Sequence, residues 1–147
     1  MPRLAEWSLP ICPVNRCVGP RPLPTAEVLR WLTTHPASGL FTTTITQAEI
    51  LYGLELLPKG KRRAALQSAV QAMFEEDFAD RILPFDSDAA RVFSQIAASR
   101  RVLGRPITQW DAQIAAIARS RGAALATRNA GDFEHCGITV VNPWRAP

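Results

Sequence analysis

The chain has 147 residues, enough for one domain with a buried core, and at 47% hydrophobic and 20% charged it is too apolar for a disordered protein. No apolar run reaches the roughly 20 residues of a membrane-spanning helix, so the sequence gives no reason to expect a membrane partner. Three cysteines without ligand spacing and two histidines argue against a zinc cage and read as reduced thiols, with a cytoplasmic location. The net charge is +4, and all but two of the 17 basic residues are Arg. That excess suits contact with phosphate but is equally the mark of Arg-favouring codons.

Residues 1–24 form an atypical segment expected to be irregular. They hold six prolines and a single acid, Glu6. Pro10 and Pro13 each remove a ladder donor, so a central strand over 7–14 is not expected. Residues 25–147 read as one α/β domain. Thr25 is placed to cap a helix over 25–34, with Val28, Leu29, Trp31 and Leu32 on its buried side. The β-branched run at 40–45 predicts a strand, and Thr46 is placed to open a helix that Pro58 stops. A longer helix is predicted over 61–78, with Leu66, Val70, Met73 and Phe74 at helical spacing. A strand at 81–85, helices over 87–103 and 108–121, and strands at 123–126 and 138–141 complete the chain. Strands alternating with helices imply a parallel sheet whose ligand crevice lies beyond the strands' carboxyl ends.

Two segments echo each other: Ile45-Thr46-Gln47-Ala48-Glu49 and Ile107-Thr108-Gln109-Trp110-Asp111. Each reads as a capping box, with Thr46 and Thr108 as caps and the acid three residues on. Capping leaves the apolar company of the acids unexplained. Ile114, Ala115 and Ala118 share a helical face with Asp111, and Ile45, Tyr52, Gly53 and Leu56 flank Glu49. No basic residue on Asp111's own helix is spaced to pair with it. A third acid, Asp132, follows the short strand at 123–126 and reads either as a cap or as a crevice residue, with Arg128 beside it. Three carboxylates without a His or Cys quorum suit a hard cation, Mg²⁺ or Mn²⁺, of the kind that assists phosphodiester cleavage. Glu75, Glu76, Asp77, Asp80, Asp86 and Asp88 read as surface or helix-end acids.

From about residue 25 to 144 the sequence resembles PIN-domain ribonucleases of the VapC toxin family, most like the FitB-type branch. The resemblance rests on Ala-Glu-Ile-Leu-Tyr-Gly at 48–53 with the following Leu-Leu-Pro-Lys-Gly-Lys-Arg-Arg, and on Leu-Pro-Phe-Asp at 83–86. It rests equally on Gly104-Arg-Pro-Ile with Asp111-Ala-Gln-Ile-Ala-Ala-Ile-Ala, and on Ala126-Thr-Arg-Asn-Ala-Gly-Asp-Phe with Asn142-Pro-Trp. It implies a PIN-like three-layer α/β/α sandwich around a central parallel sheet, with its first strand in question. The implied activity is that of an endoribonuclease toxin using Mg²⁺ or Mn²⁺, whose partners are a cognate antitoxin, an RNA substrate and a second copy in a homodimer. Glu49, Asp111 and Asp132 match three of the family's four metal-binding and catalytic acids, and Arg128 is the expected RNA contact. The fourth acid, in an Asp-Thr/Ser-Asn motif closing the first strand, has no counterpart in residues 1–24. Residues 1–24 are therefore expected to be a frameshifted or misassigned start. The alternative reading is a catalytically inactive PIN-fold protein that only binds an antitoxin or dimerises.

Overall fold

The computed structural model describes residues 8–10, 30–31 and 33–145. The expected cap at Thr25, the helix positions Val28, Leu29 and Leu32, and the thiols of Cys12 and Cys17 lie outside the described residues; Arg30, Trp31 and Thr33 are helical. Strand β1 is Ser8–Pro10 and β2 is Thr42–Thr43. Helix α1 spans Thr44–Leu56, and α2 spans Lys61–Ala72 and runs into a π-helical turn at Met73–Asp77. Then come β3 (Ile82–Leu83), α3 (Ser87–Val102), α4 (Gln109–Ser120), β4 (Ala124–Ala126), a 3₁₀ turn at Ala130–Phe133 and β5 (Val140–Val141). Every described strand pair is parallel, in a three-stranded sheet ordered β1-β4-β5 and a two-stranded pair β2-β3. This is the α/β arrangement the alternation predicts.

Within the segment expected to be irregular, Ser8–Pro10 runs beside β4 in the register Ser8↔Ala124, Leu9↔Leu125 and Pro10↔Ala126. It stands at an edge of its described sheet, a position that tolerates proline.

Helix α1 begins two residues ahead of the expected Thr46. Thr43, extended at φ −119° and ψ 156°, is the cap; its Oγ1 accepts from the Thr46 amide at 3.0 Å and lies 3.1 Å from Thr46 Oγ1. In a run of threonines, the hydroxyl at the last extended residue takes the orphan amide, and the strand shortens to Thr42–Thr43. Thr43→Val keeps the buried volume but removes the acceptor. It is expected to lower stability by about 1 kcal/mol, read from urea unfolding.

The core is built around α4. Ala112, Ile114, Ala115, Ala116, Ile117 and Ala118 are all buried, so this helix is surrounded on nearly every side, as a central helix must be. Four of its buried positions are alanines, which let α3 and the sheet approach closely. From α3 come Ala89 and Ile96, from the strands Leu83 and Leu125, and from the 3₁₀ turn and its sequel Phe133 and Cys136. Helices α3 and α4 end where Gly104 (φ 70°) and Gly122 (φ 65°) take the left-handed conformation that glycine adopts without strain. Helix α2 is more exposed than its spacing predicts: none of its residues is buried, Leu66 and Val70 are only partly covered, and Phe74 in the following turn alone is fully enclosed. No helix among the described residues is long and apolar enough to cross a membrane.

Candidate active site

Asp111 stands in the first turn of α4, three residues after the cap Thr108. Thr108 Oγ1 accepts from the Asp111 amide at 3.2 Å and donates its own proton to Asp111 Oδ2 at 2.7 Å. The capping expectation holds here, with the carboxylate taking a hydroxyl proton. Ile114, Ala115 and Ala118, on the same face, are 2%, 0% and 0% exposed. The carboxyl is thus anchored to the most buried helix of the core, at its positive end.

Glu49 is placed differently from its expectation. With Thr43 as the cap, Glu49 falls in the second turn of α1 and takes no part in capping. Its flanking residues are also not one buried face. The buried line runs through Thr46, Ile50 and Leu54, whereas Tyr52 and Leu56 are exposed. Glu49 rides on the border of that line, half-buried, on a helix that packs against α4.

Burial, and secondarily the charge of Asp111, pushes the Glu49 carboxyl above its ordinary range. Asp111 is pushed up first by burial; the Thr108 hydroxyl pulls it down, the charge of Asp132 raises it, and that of Arg100 lowers it. Asp132 sits in the 3₁₀ turn after β4, exposed, and does not cap it; the position ahead of the turn is Asn129, without a side-chain cap bond. Asp111 thus shares in both couplings: its charge raises Glu49, and the charge of Asp132 raises Asp111.

Among the described residues no three His, Cys, Asp or Glu side chains enclose a single metal position. What the donors offer is two half-buried carboxylates of like charge, Glu49 and Asp111, and the exposed Asp132. That chemistry fits a hard divalent cation, which binds through one or two carboxylates and leaves its other positions to water and phosphate. It does not fit a closed, all-protein cage.

Arg128, next to the turn, is exposed, and its carbonyl accepts from Asn142 Nδ2 at 3.3 Å. The remaining acids behave as surface groups. Asp86 caps α3 through Oδ1 to the Ala89 amide at 2.9 Å and pairs with Arg121 at 3.0 Å. Asp88 pairs with Arg91, and Glu75, Glu76, Asp77 and Asp80 are exposed. One residue escaped the sequence reading. Arg100, on α3, is 6% exposed and acts on Asp111 from a neighbouring helix. Its signal was its place four residues after the buried Ile96, on the same helical face.

A PIN-domain family model matches residues 18–137. The chain is 36% identical over 121 residues to a VapC ribonuclease, Y4jK, of Sinorhizobium fredii, covering 82% of this chain and 86% of that one. It is 35% identical over 124 residues to the toxin FitB of Neisseria gonorrhoeae, covering 84% and 89%. The fold superposes on the crystal structure of FitAcB from Neisseria gonorrhoeae with a TM-score of 0.83 and 31% identity, covering 95% of this chain and 99% of that one. The matched span takes in Glu49, Asp111 and Asp132, and on sequence and fold together the chain belongs to the PIN-domain family, among the VapC and FitB toxins.

Proposed function

We propose that the protein is a metal-dependent endoribonuclease toxin that hydrolyses RNA phosphodiester bonds at Glu49, Asp111 and Asp132, and that a cognate antitoxin restrains it. The observation that carries this reading is the pair Glu49 and Asp111. Both are half-buried and pushed up by burial, and Glu49 is pushed further by the charge of Asp111, an arrangement that helix capping does not require at Glu49. Supporting it are the relatives, which include a ribonuclease and a toxin, and a metal dependence general to VapC nucleases.

Asp111 and one or both of its neighbours would hold Mg²⁺ or Mn²⁺. Such an ion, when bound, polarises a phosphate oxygen and makes water more acidic. The chain's own groups do the rest. The Thr108 hydroxyl fixes the orientation of the Asp111 carboxylate. Glu49, made more basic by its burial, is the better placed to accept a proton from the attacking water. Arg128, exposed beside Asp132, meets the RNA backbone, which its charge recognises without regard to sequence. The antitoxin reading is supported by the structural neighbours, which are toxin–antitoxin complexes. A homodimer is supported by the exposed apolar side chains Leu51, Tyr52 and Leu56 along α1. The free, buried thiol of Cys136 suits a reducing cytoplasm.

The test is cleavage of single-stranded RNA by the purified chain. The reading expects cleavage that needs Mg²⁺ or Mn²⁺, stops with a chelator and is absent in Asp111→Asn. The absence of the Asp-Thr/Ser-Asn motif from residues 1–24 favours a second reading, a PIN-fold protein that binds its antitoxin without cleaving. Under it no RNA is cut under any of these conditions, while antitoxin binding persists in Asp111→Asn.

A further inference from the structure

Arg100 is the only arginine among the described residues to be buried, and no carboxylate among them lies within ion-pair distance of it. Taking a guanidinium out of water without an ion partner is costly unless its donors are well used. Here they are spent on the main chain. Nε donates to the Arg105 carbonyl at 2.6 Å, and Nη1 donates to the carbonyls of Asp132 at 2.9 Å and Glu134 at 2.7 Å. The same nitrogen reaches Cys136 Sγ at 3.7 Å. These acceptors belong to two connections, the one leading into α4 and the one that carries Asp132. The Arg105 amide returns a bond to the Arg100 carbonyl at 2.9 Å, so the first connection is held from both directions.

Packing alone does not call for this residue. Ile96, one turn earlier on the same face, fills its place with hydrocarbon. What Arg100 adds is one nitrogen, Nη1, that ties the carbonyl of Asp132 to that of the residue two further on, together with a positive charge that acts on Asp111. The turn is anchored by the buried Phe133, but its acid is exposed and no hydrogen bond among the described residues holds the Asp132 side chain, so the main-chain grip of Arg100 sets where that residue stands.

We propose that, granted the carboxylate reading above, Arg100 is the positioning residue of the site: it clamps the main chain at Asp132 and Glu134, so that Asp132 is held beside Asp111 before any cation arrives. A cation then finds its ligands in place and has no turn to order. Arg100 acts through Asp132 and touches neither substrate nor metal.

The experiment is Mn²⁺ binding by calorimetry to the full chain without RNA, for the wild type, Arg100→Met, Arg100→Lys, Asp132→Asn and the double variant Arg100→Met with Asp132→Asn. Unfolding of the metal-free proteins and hydrogen exchange at 130–136 are measured alongside. Arg100→Met is expected to weaken Mn²⁺ binding by about 10- to 100-fold, the usual cost of losing a group that orients a ligand. Exchange at 130–136 should quicken, and the double variant should bind scarcely more weakly than Asp132→Asn, because both changes remove the same contribution. Arg100→Lys keeps the charge but not the separate Nε and Nη1 donors that reach both connections at once, and it carries the test if the methionine variant does not fold; its Mn²⁺ affinity should fall nearly as far. Wild-type Mn²⁺ affinity in Arg100→Lys, or full additivity of Arg100→Met with Asp132→Asn, overturns the proposal and leaves the carboxylate reading standing. A wild type that binds no Mn²⁺ overturns both.

Discussion

Asp111→Asn is expected to lower metal-dependent RNA cleavage by more than about 100-fold, since losing even a residue that merely orients a ligand costs 10–100-fold and this one removes a ligand charge. The same substitution should make the metal-free protein harder to unfold at neutral pH. Asp111 is pushed up by burial and by the charge of Asp132, and Glu49 by burial and by Asp111. The folded chain therefore holds these protons more tightly than the unfolded chain does. Between the unfolded carboxylate range near pH 4 and the raised folded values, the native state binds more protons, so stability falls as pH rises through that window. Above it both groups are charged in either state and the fold carries the whole penalty. Asparagine cannot ionise, and its oxygen can still accept the Thr108 hydroxyl proton that now goes to Oδ2. Unfolding midpoints taken from pH 4.5 to 8 should decline toward neutrality in the wild type, decline less in Asp111→Asn, and recover with Mn²⁺ only in the wild type. Asp86 works in the opposite sense. Its bond from the Ala89 amide and the nearby Arg121 hold it below the ordinary range, so its contribution is present above pH 4 and disappears only as pH falls through the lowered value.

The largest effect on stability should come from Ile117→Ala. Ile117 is wholly buried in the middle of α4, between Ala116 and Ala118, which are equally inaccessible. Small neighbours on a helix enclosed on nearly all sides have nothing to swing into the space left by the lost carbons. A cost of about 2–5 kcal/mol follows for truncating such a side chain, against a total stability of about 5–15 kcal/mol. For a chain of this size it should appear as a melting temperature lower by roughly 6–16 °C. The helix also seats Asp111, so Mn²⁺ affinity measured well below the melting range should fall together with stability. Leu103→Ala, at a side chain 54% exposed, should change neither by much.

Much of this was legible in the amino-acid order, and the parts that were not have specific causes. Helices α3 and α4 were readable to within a residue or two because each carries its own punctuation: Asp86 and Gly104 for one, Thr108 and Gly122 for the other. The start of α1 was not, because consecutive threonines at 42–44 and another at 46 offer competing caps, and backbone geometry selects among them. That three-residue shift of the cap, from Thr46 to Thr43, moved Glu49 out of the first turn and replaced the expected apolar face with the line Thr46, Ile50 and Leu54. Helix α2 shows the opposite failure, since its apolar spacing is real but little packs over it. The acids at 49, 111 and 132 stood out because carboxylates among apolar residues need an explanation. Arg100 did not, because its partners are carbonyls, and a carbonyl leaves no trace in a side-chain pattern.

Manganese can be located directly. In a crystal of the full chain grown with Mn²⁺ near pH 7.5, anomalous scattering should show an ion within about 2–2.3 Å of an Asp111 oxygen and coordinated as well by Glu49 or Asp132, with water on its open side. Manganese bound elsewhere, or a lattice free of it while these side chains stay splayed, would contradict the shared-cation account.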